Sequence, residues 1–495
     1  MDILLIPVPA DSEKHNYDQG FNFSRSLSFG LLSIATYLSQ GGFDAQVFDP
    51  RCIAGNIENS VLNAIAEIRP NFIGLSCTSG FSYTETLSLA AAIRKEHPRI
   101  PILAGGKDHI GIIAKTALYE SPSIDVIIIG EGELVMPLVL ERFKKLQGLG
   151  DVPNVAFRGE KGQPLESQIH RDFVPHQLPR LDYRLYKSFN EFSPSVEVSR
   201  GCPYNCAFCV GYNNLVRKKP ILDIIEETAY LCNLYQRSDL SIYFETPCFI
   251  FNDREIKELM QLRSARDLEF TWRTEARVEY LTEHRIACLK EAGCRVIDVG
   301  LESAAPEILC LMGKTDKPQE YLEAASIALS AARREDILLK INILFYAGET
   351  LASLRKTFSF LMDHRDHLRC ISAYPMFLHP AISNLESFKY ILREAGGSLE
   401  ASSLWEDRRV HPVNSSSELT YSRLKRLGIL FGKAFQSADD FVRQKTYGYL
   451  PPGRSVDSVL EYISSRQENE YPCHLTSAER DKARHEIERE LGIKN

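Results

Sequence analysis

The stretch Val198-Ser199-Arg200-Gly201-Cys202-Pro203-Tyr204-Asn205-Cys206-Ala207-Phe208-Cys209 sets three cysteines in a Cys-x3-Cys-x2-Cys spacing, followed by Val210-Gly211-Tyr212. Thiolates are the soft ligands that iron–sulfur clusters take, and three on one loop can reach three irons. A 4Fe–4S cluster has a fourth iron, which then stays open, much as a catalytic zinc keeps an open position. Two other readings compete. A closed structural zinc site needs a fourth ligand, and no Cys-x2-Cys partner or His-x3-His pair follows downstream. Three core thiols would fit poorly with Arg200, Gly201, Pro203 and Asn205, which mark a loop. The spacing points to a cluster held by Cys202, Cys206 and Cys209.

Downstream of this loop, and just before it, strand-like runs occur at 195–198, 241–244, 269–273, 296–300, 338–344 and 371–374. Helical segments such as 222–235, 254–266 and 283–292 separate them, which predicts a partial, TIM-like (βα)6 barrel with its site at the carboxyl ends of the strands. Upstream, apolar runs at 3–7, 45–48, 72–76, 101–104 and 125–129 alternate with helical spacing at 27–40, 57–68, 83–97, 110–120 and 133–146. That alternation predicts a doubly wound parallel sheet, whose ligands sit at the strand carboxyl ends. The expected organisation is therefore α/β. Residues 1–148 form the first domain, a proline-rich linker covers 149–190, the barrel covers 191–379, and a mainly helical region covers 380–495. Charges at 479–490 suit a solvated helix face.

Three loops after strands in the first domain carry small residues that permit close backbone approach to a ligand. They are Ser76-Cys77-Thr78-Ser79-Gly80, Gly105-Gly106-Lys107-Asp108-His109 and Gly130-Glu131-Gly132-Glu133. The 495 residues exceed one compact core. A formal net charge of −7 disfavours non-specific nucleic-acid binding. No run of about 18 apolar residues predicts a membrane span, and the start at Met1-Asp2-Ile3-Leu4 lacks the basic n-region of a secretory leader. The expected location is cytoplasmic, where thiols stay reduced. The nine cysteines outside the motif then read as core residues rather than a disulfide framework.

The cysteine segment is very similar to the signature of the radical S-adenosylmethionine superfamily. The resemblance implies that the open iron binds S-adenosylmethionine, and that one electron from the cluster splits the sulfonium to give a 5′-deoxyadenosyl radical. It implies a place for Phe208 against the adenine. Gly300-Leu301-Glu302-Ser303 resembles the family's Gly-x-Glu-Ser element, whose glutamate, here Glu302, takes the ribose hydroxyls; a carboxylate can accept both hydrogen bonds. Arg273 and Arg277 correspond to the arginine found on and after strand three, and Phe345-Tyr346-Ala347-Gly348-Glu349-Thr350 to the strand-five turn. Two stretches depart from the pattern. Strand two ends Phe244-Glu245-Thr246-Pro247-Cys248 where paired aspartates are usual, and His379-Pro380-Ala381-Ile382-Ser383 replaces Pro-Gly-Thr. Both lie where substrate should sit.

Residues 1–148 resemble the cobalamin-binding domain that precedes the barrel in one large class of these enzymes. The resemblance rests on Ser76 and Thr78, on Gly105-Gly106 with His109 nearby, and on Gly130-Glu131-Gly132-Glu133. It implies that Ser76, Thr78, Gly105, Gly106, Gly130, Glu131 and Gly132 contact cobalamin. The Asp-x-His-x-x-Gly element of methionine-synthase-type domains is missing, since the first-strand loop reads Ala10-Asp11-Ser12-Glu13-Lys14-His15-Asn16-Tyr17-Asp18-Gln19-Gly20. His15 and His109 are the histidines near the relevant loops, and neither matches a lower cobalt ligand.

Together these resemblances imply a cobalamin-dependent radical enzyme that methylates an unactivated carbon of a small-molecule or natural-product intermediate. An electron donor such as flavodoxin or ferredoxin would serve it. Radical rearrangement, cyclisation or ring contraction without methyl transfer is the alternative, and a non-catalytic cobalamin or redox sensor is the alternative of another class. Methylthio transfer fits less well, because only Cys52 and Cys77 precede the motif.

Overall fold

The computed structural model describes residues 1–10, 26–53, 55–106, 108–210, 215–382, 384–448, 450, 452–453, 457 and 476–493. The first-strand loop with His15, and Lys107, Gly211, Tyr212 and Ser383, lie outside the described residues.

Strands β1 (Ile3–Pro7), β2 (Ala45–Val47), β3 (Phe72–Ser76), β4 (Ile102–Gly105) and β5 (Val126–Ile128) form a parallel sheet in the order β2-β1-β3-β4-β5. Helices Phe29–Gln40, Ile57–Ile68, Tyr83–Glu96, Ala114–Glu120 and Val135–Lys144 connect or follow them. The strands are almost wholly apolar, Gln46 and Ser76 being the exceptions, because both faces are covered. Ile3 and Leu5 pack with Leu31 and Val135 on one side, whereas Leu4 and Ile6 pack with Val61 and Leu89 on the other. The chain reverses direction across the sheet between β1 and β3, which makes their carboxyl ends a switch point.

The stretch 149–190 is more than a linker. Strands β6 (Val155–Arg158) and β7 (Pro164–Glu166) add to β5 in antiparallel fashion and extend the sheet to seven strands. Their shortness and the turn glycines Gly159 and Gly162 disguise them, and Pro164 is tolerated because β7 is the edge. Further along, Tyr183 donates from its hydroxyl to the Ser195 carbonyl at 2.6 Å, and Tyr186 bonds to Asp49. This stretch thus ties the two domains together.

The barrel consists of β8 (Ser195–Glu197) and five further strands. A short antiparallel pair, β9 (Ser199–Arg200) and β10 (Arg217–Lys218), brackets the cysteine loop. Strands β11 (Ser241–Glu245), β12 (Thr271–Ala276), β13 (Cys294–Glu302), β14 (Leu338–Phe345) and β15 (Cys370–Pro375) follow β8 in spatial order, all parallel. Outward-facing Phe244 and Trp272 stack at 4.7 Å under the helical layer. Side-chain caps start several of those helices, as where Asn252 and Glu255 satisfy each other's backbone N–H at the start of Asp253–Ala265.

Beyond the barrel the described chain holds helices Leu385–Glu394, Ser403–Arg408, Tyr421–Phe435, Ala438–Thr446 and Ser477–Glu490. It also holds a small sheet of β16 (Phe377–Leu378), β17 (Ser398–Leu399) and β18 (His411–Asn414), in the order β16-β18-β17, which the helical expectation for 380–495 did not include. No helix among the described residues is long and apolar enough to cross a membrane.

Candidate functional site

The carboxyl ends of β3, β4 and β5 face those of β8 and β11 across one cavity of about 430 Å³. Ser76, Thr78, Gly105, Gly106, Gly130, Glu131 and Gly132 all border it, and the barrel contributes Arg200-Gly201 and Glu245-Thr246-Pro247. Gly106 holds φ at +149°, and a side chain there would collide with the Cys77 carbonyl, so this backbone approach needs glycine. The sheet side of the cavity is an apolar slot between Leu5, Leu31, Ile34, Leu103, Ile128 and Met136. A polar mouth over an apolar slot suits a large ligand with one apolar arm. His109 points elsewhere. It is fully buried, its ring 5.3 Å from that of Tyr83, and burial lowers its pKa to about 4. Its neighbour Asp108 borders the cavity instead.

Arg200 closes the seam between the domains. Its guanidinium donates to Glu131 at 2.8 Å, Glu133 at 2.6 Å, Glu197 at 2.6 Å and Ser33 at 2.9 Å. Arg217 forms a second ion pair with Glu131. Burial alone would raise the Glu133 carboxyl, but the Arg200 charge and the Ser33 hydroxyl hold it below the usual range. Glu131 is therefore engaged by two arginines at the cavity edge. The sequence signal for this clamp was the arginine directly before Gly201-Cys202.

On the cysteine loop, Ala207 N–H donates to the Met312 carbonyl at 2.7 Å, and Cys209 N–H to the Cys206 carbonyl at 3.0 Å. Arg277 lies 3.8 Å over the Tyr204 ring and donates to Cys206 Sγ at 3.5 Å and to the Lys314 carbonyl at 2.5 Å. A hydrogen bond from Cys248, a buried thiol at the end of β11, draws Cys202 down to about 6. Burial pushes Cys209 up to about 12 and raises Cys206. Iron binding displaces such protons, and Arg277 and Lys314 bring two cations to offset thiolate charge. Among the described residues no three His, Cys, Asp or Glu side chains are arranged around a single ion. A cubane instead takes each thiolate on a different iron. The donor set fits that group, and Cys202, Cys206 and Cys209 would hold it.

Glu302 ends β13 in a left-handed conformation (φ +65°) next to a register shift at Gly300. Its carboxylate accepts from Lys314 Nζ at 3.1 Å, and a side chain at Gly300 would strike that pair. Lys314 also lies 5.8 Å from the Phe208 ring centroid, and Phe208 packs edge-on to Tyr346 at 6.5 Å. Phe208, Glu302 and Lys314 thus form one patch beside the cysteine loop. Arg273 is placed differently from the expectation. Its position faces the barrel interior one pleat deeper, where it is fully buried, pairs with Asp298 and donates to the carbonyls of Gln444 at 2.9 Å and Tyr447 at 3.2 Å. It anchors the end of helix Ala438–Thr446 and does not border the cavity.

Fold and site together define a radical S-adenosylmethionine protein with an N-terminal cobalamin-binding domain. The Radical SAM superfamily matches residues 196–361, and the B12 binding domain matches residues 25–140. The chain thus carries a B12 binding domain followed by a Radical SAM domain, and its cofactors are a 4Fe–4S cluster, S-adenosylmethionine and cobalamin. It is 26% identical over 294 residues to an uncharacterized methyltransferase, PH0819, of Pyrococcus horikoshii, covering 57% of this chain and 63% of that one. It is 24% identical over 351 residues to an anaerobic magnesium-protoporphyrin IX monomethyl ester cyclase of Rubrivivax gelatinosus, covering 67% and 61%. The chain thus spans less than two thirds of the length of these curated relatives. The fold matches the radical S-adenosylmethionine methyltransferase TsrM of Kitasatospora setae, solved with cobalamin and a 4Fe–4S cluster, at a TM-score of 0.70 over 99% of both chains and 16% identity.

Proposed function

We propose that this protein is a cobalamin-dependent radical methyltransferase acting on an unactivated carbon of a small molecule. The observation that carries the proposal is the single cavity onto which both the glycine-lined loops of the first domain and Arg200-Gly201, directly before Cys202, open. When bound, the cluster with S-adenosylmethionine supplies a hydrogen-abstracting radical, and cobalamin supplies a methyl group. The protein's own residues position and shield. Gly106 and Gly130 let the backbone approach the corrinoid, and the slot from Leu5 to Met136 takes its apolar arm. Phe208 packs against the adenine, and Glu302, oriented by Lys314, takes the ribose hydroxyls. The Arg200 clamp keeps the two halves in register, which fixes the orientation on which such transfer depends. A soluble protein of the flavodoxin or ferredoxin kind would deliver the electron.

Anaerobically reconstituted protein should release both 5′-deoxyadenosine and S-adenosylhomocysteine from S-adenosylmethionine, the latter only when cobalamin is present. Ring closure or rearrangement is the second reading, favoured by the likeness to the cyclase. It would give 5′-deoxyadenosine without S-adenosylhomocysteine.

A further inference from the structure

Two carboxylates on the barrel side of the cavity have no part in the cofactor contacts proposed above. Glu245 ends β11, and Glu275 lies on β12 in register with Asp298 of β13, four residues before Glu302. Both border the cavity. Glu245 is half-buried and opens onto the cavity, and among the described residues its carboxylate makes no hydrogen bond or salt bridge, the Arg273 charge acting on it only from a distance. Glu275 accepts from the Tyr243 hydroxyl at 2.8 Å and otherwise faces open space. Beneath them the floor is closed, because Asp298 is taken by Arg273 and by Lys340 at 3.0 Å. Three further carboxylates at this mouth, Glu131, Glu133 and Glu197, are compensated by Arg200.

We infer that Glu245 and Glu275 bind a cationic, hydrogen-bond-donating group of the substrate, such as an ammonium or amidinium. This inference rests on the proposed function and deepens it by naming the substrate class. A carboxylate pair that lines a cavity with no salt-bridge partner of its own is costly to keep ionised. A cation with two or more N–H donors satisfies both members at once, and anchoring that end holds a distant carbon in the space under the cofactors. Burial raises both carboxyls, helped by the Glu275 charge at Glu245 and by the Asp298 charge at Glu275, to about 8 and about 7, which agrees with a site awaiting positive charge.

The test uses the reconstituted holoenzyme in its paramagnetic cob(II)alamin form, with n-butylammonium, n-butyrate and n-butanol as probes. Nuclear relaxation of each probe reports its residence near cobalt. Butylammonium should relax several-fold faster than the other two, and the excess should fall at least threefold in Glu245→Gln and in Glu275→Gln. Equal enhancement of all three probes, preference for butyrate, or an excess unchanged in both variants overturns the inference. So does loss of cobalamin from Glu245→Gln, which would make Glu245 a corrinoid contact. Cleavage of S-adenosylmethionine by the unsubstituted protein is measured separately, and its failure strikes the proposed function instead.

Discussion

Arg200, two residues before the first motif cysteine, donates to Glu133 of the first domain at 2.6 Å, and the pair is largely buried. One guanidinium thereby connects the cluster loop to the wall of the opposing sheet. Removing one partner of a buried pair leaves an uncompensated charge, which costs about 3–5 kcal/mol. Arg200→Ala should lower unfolding stability by roughly that amount and reduce cobalamin retention. Denaturant titration of the apoprotein with cobalt analysis of the reconstituted one checks both.

Glu302→Gln should weaken S-adenosylmethionine binding by up to about 3 kcal/mol and leave iron and sulfide content unchanged. It removes a charged acceptor and leaves Lys314 without its partner. An unchanged dissociation constant in calorimetry would assign the ribose to another residue.

The carboxyl pair predicts a pH dependence. Burial first, then the Glu275 charge, raises Glu245 from 4.5 to about 8; burial, then Asp298, raises Glu275 from 4.5 to about 7. Both folded values exceed the unfolded one, so the native state binds more protons, and this contribution to stability is lost as pH rises from about 4.5 to about 8. Urea unfolding of the apoprotein should therefore show a flatter decline over that window in Glu245→Gln than in the parent. Equal slopes would contradict the raised carboxyl.

His109→Ala should leave the cob(II)alamin resonance unchanged, because the imidazole packs on Tyr83 away from the cavity. Disappearance of a nitrogen superhyperfine pattern in the variant would make His109 a cobalt ligand.

All eleven parallel strands of the two main sheets were legible, most of them as apolar runs flanked by helical spacing or turn residues, while β8 and β12, which carry Glu197, Arg273 and Glu275, were legible from their place in the strand–helix alternation. The glycine loops and the cysteine motif were legible for the same local reason. What escaped depends on tertiary contact. β6 and β7 are too short and turn-rich to register alone. The interdomain role of Arg200 depends on Glu131 and Glu133, nearly seventy residues away. The pairing of Lys314 with Glu302 needs the register shift at Gly300, which no periodicity announces. Arg273 shows the converse limit. Strand periodicity places it inside the barrel but does not say how deep, and one pleat separates a cavity residue such as Glu275 from a buried anchor.

The account's central claim is that cobalamin and the cluster face one cavity. Electron paramagnetic resonance of the anaerobically reconstituted protein, poised with cob(II)alamin and a reduced cluster, tests it most directly. The account predicts a cobalt signal broadened by the cluster spin, with the broadening absent from Cys206→Ala, which cannot hold the cluster but keeps the first domain intact. A sharp cobalt signal beside a fully reduced cluster, or a protein that binds the cluster and retains no cobalamin, would contradict it.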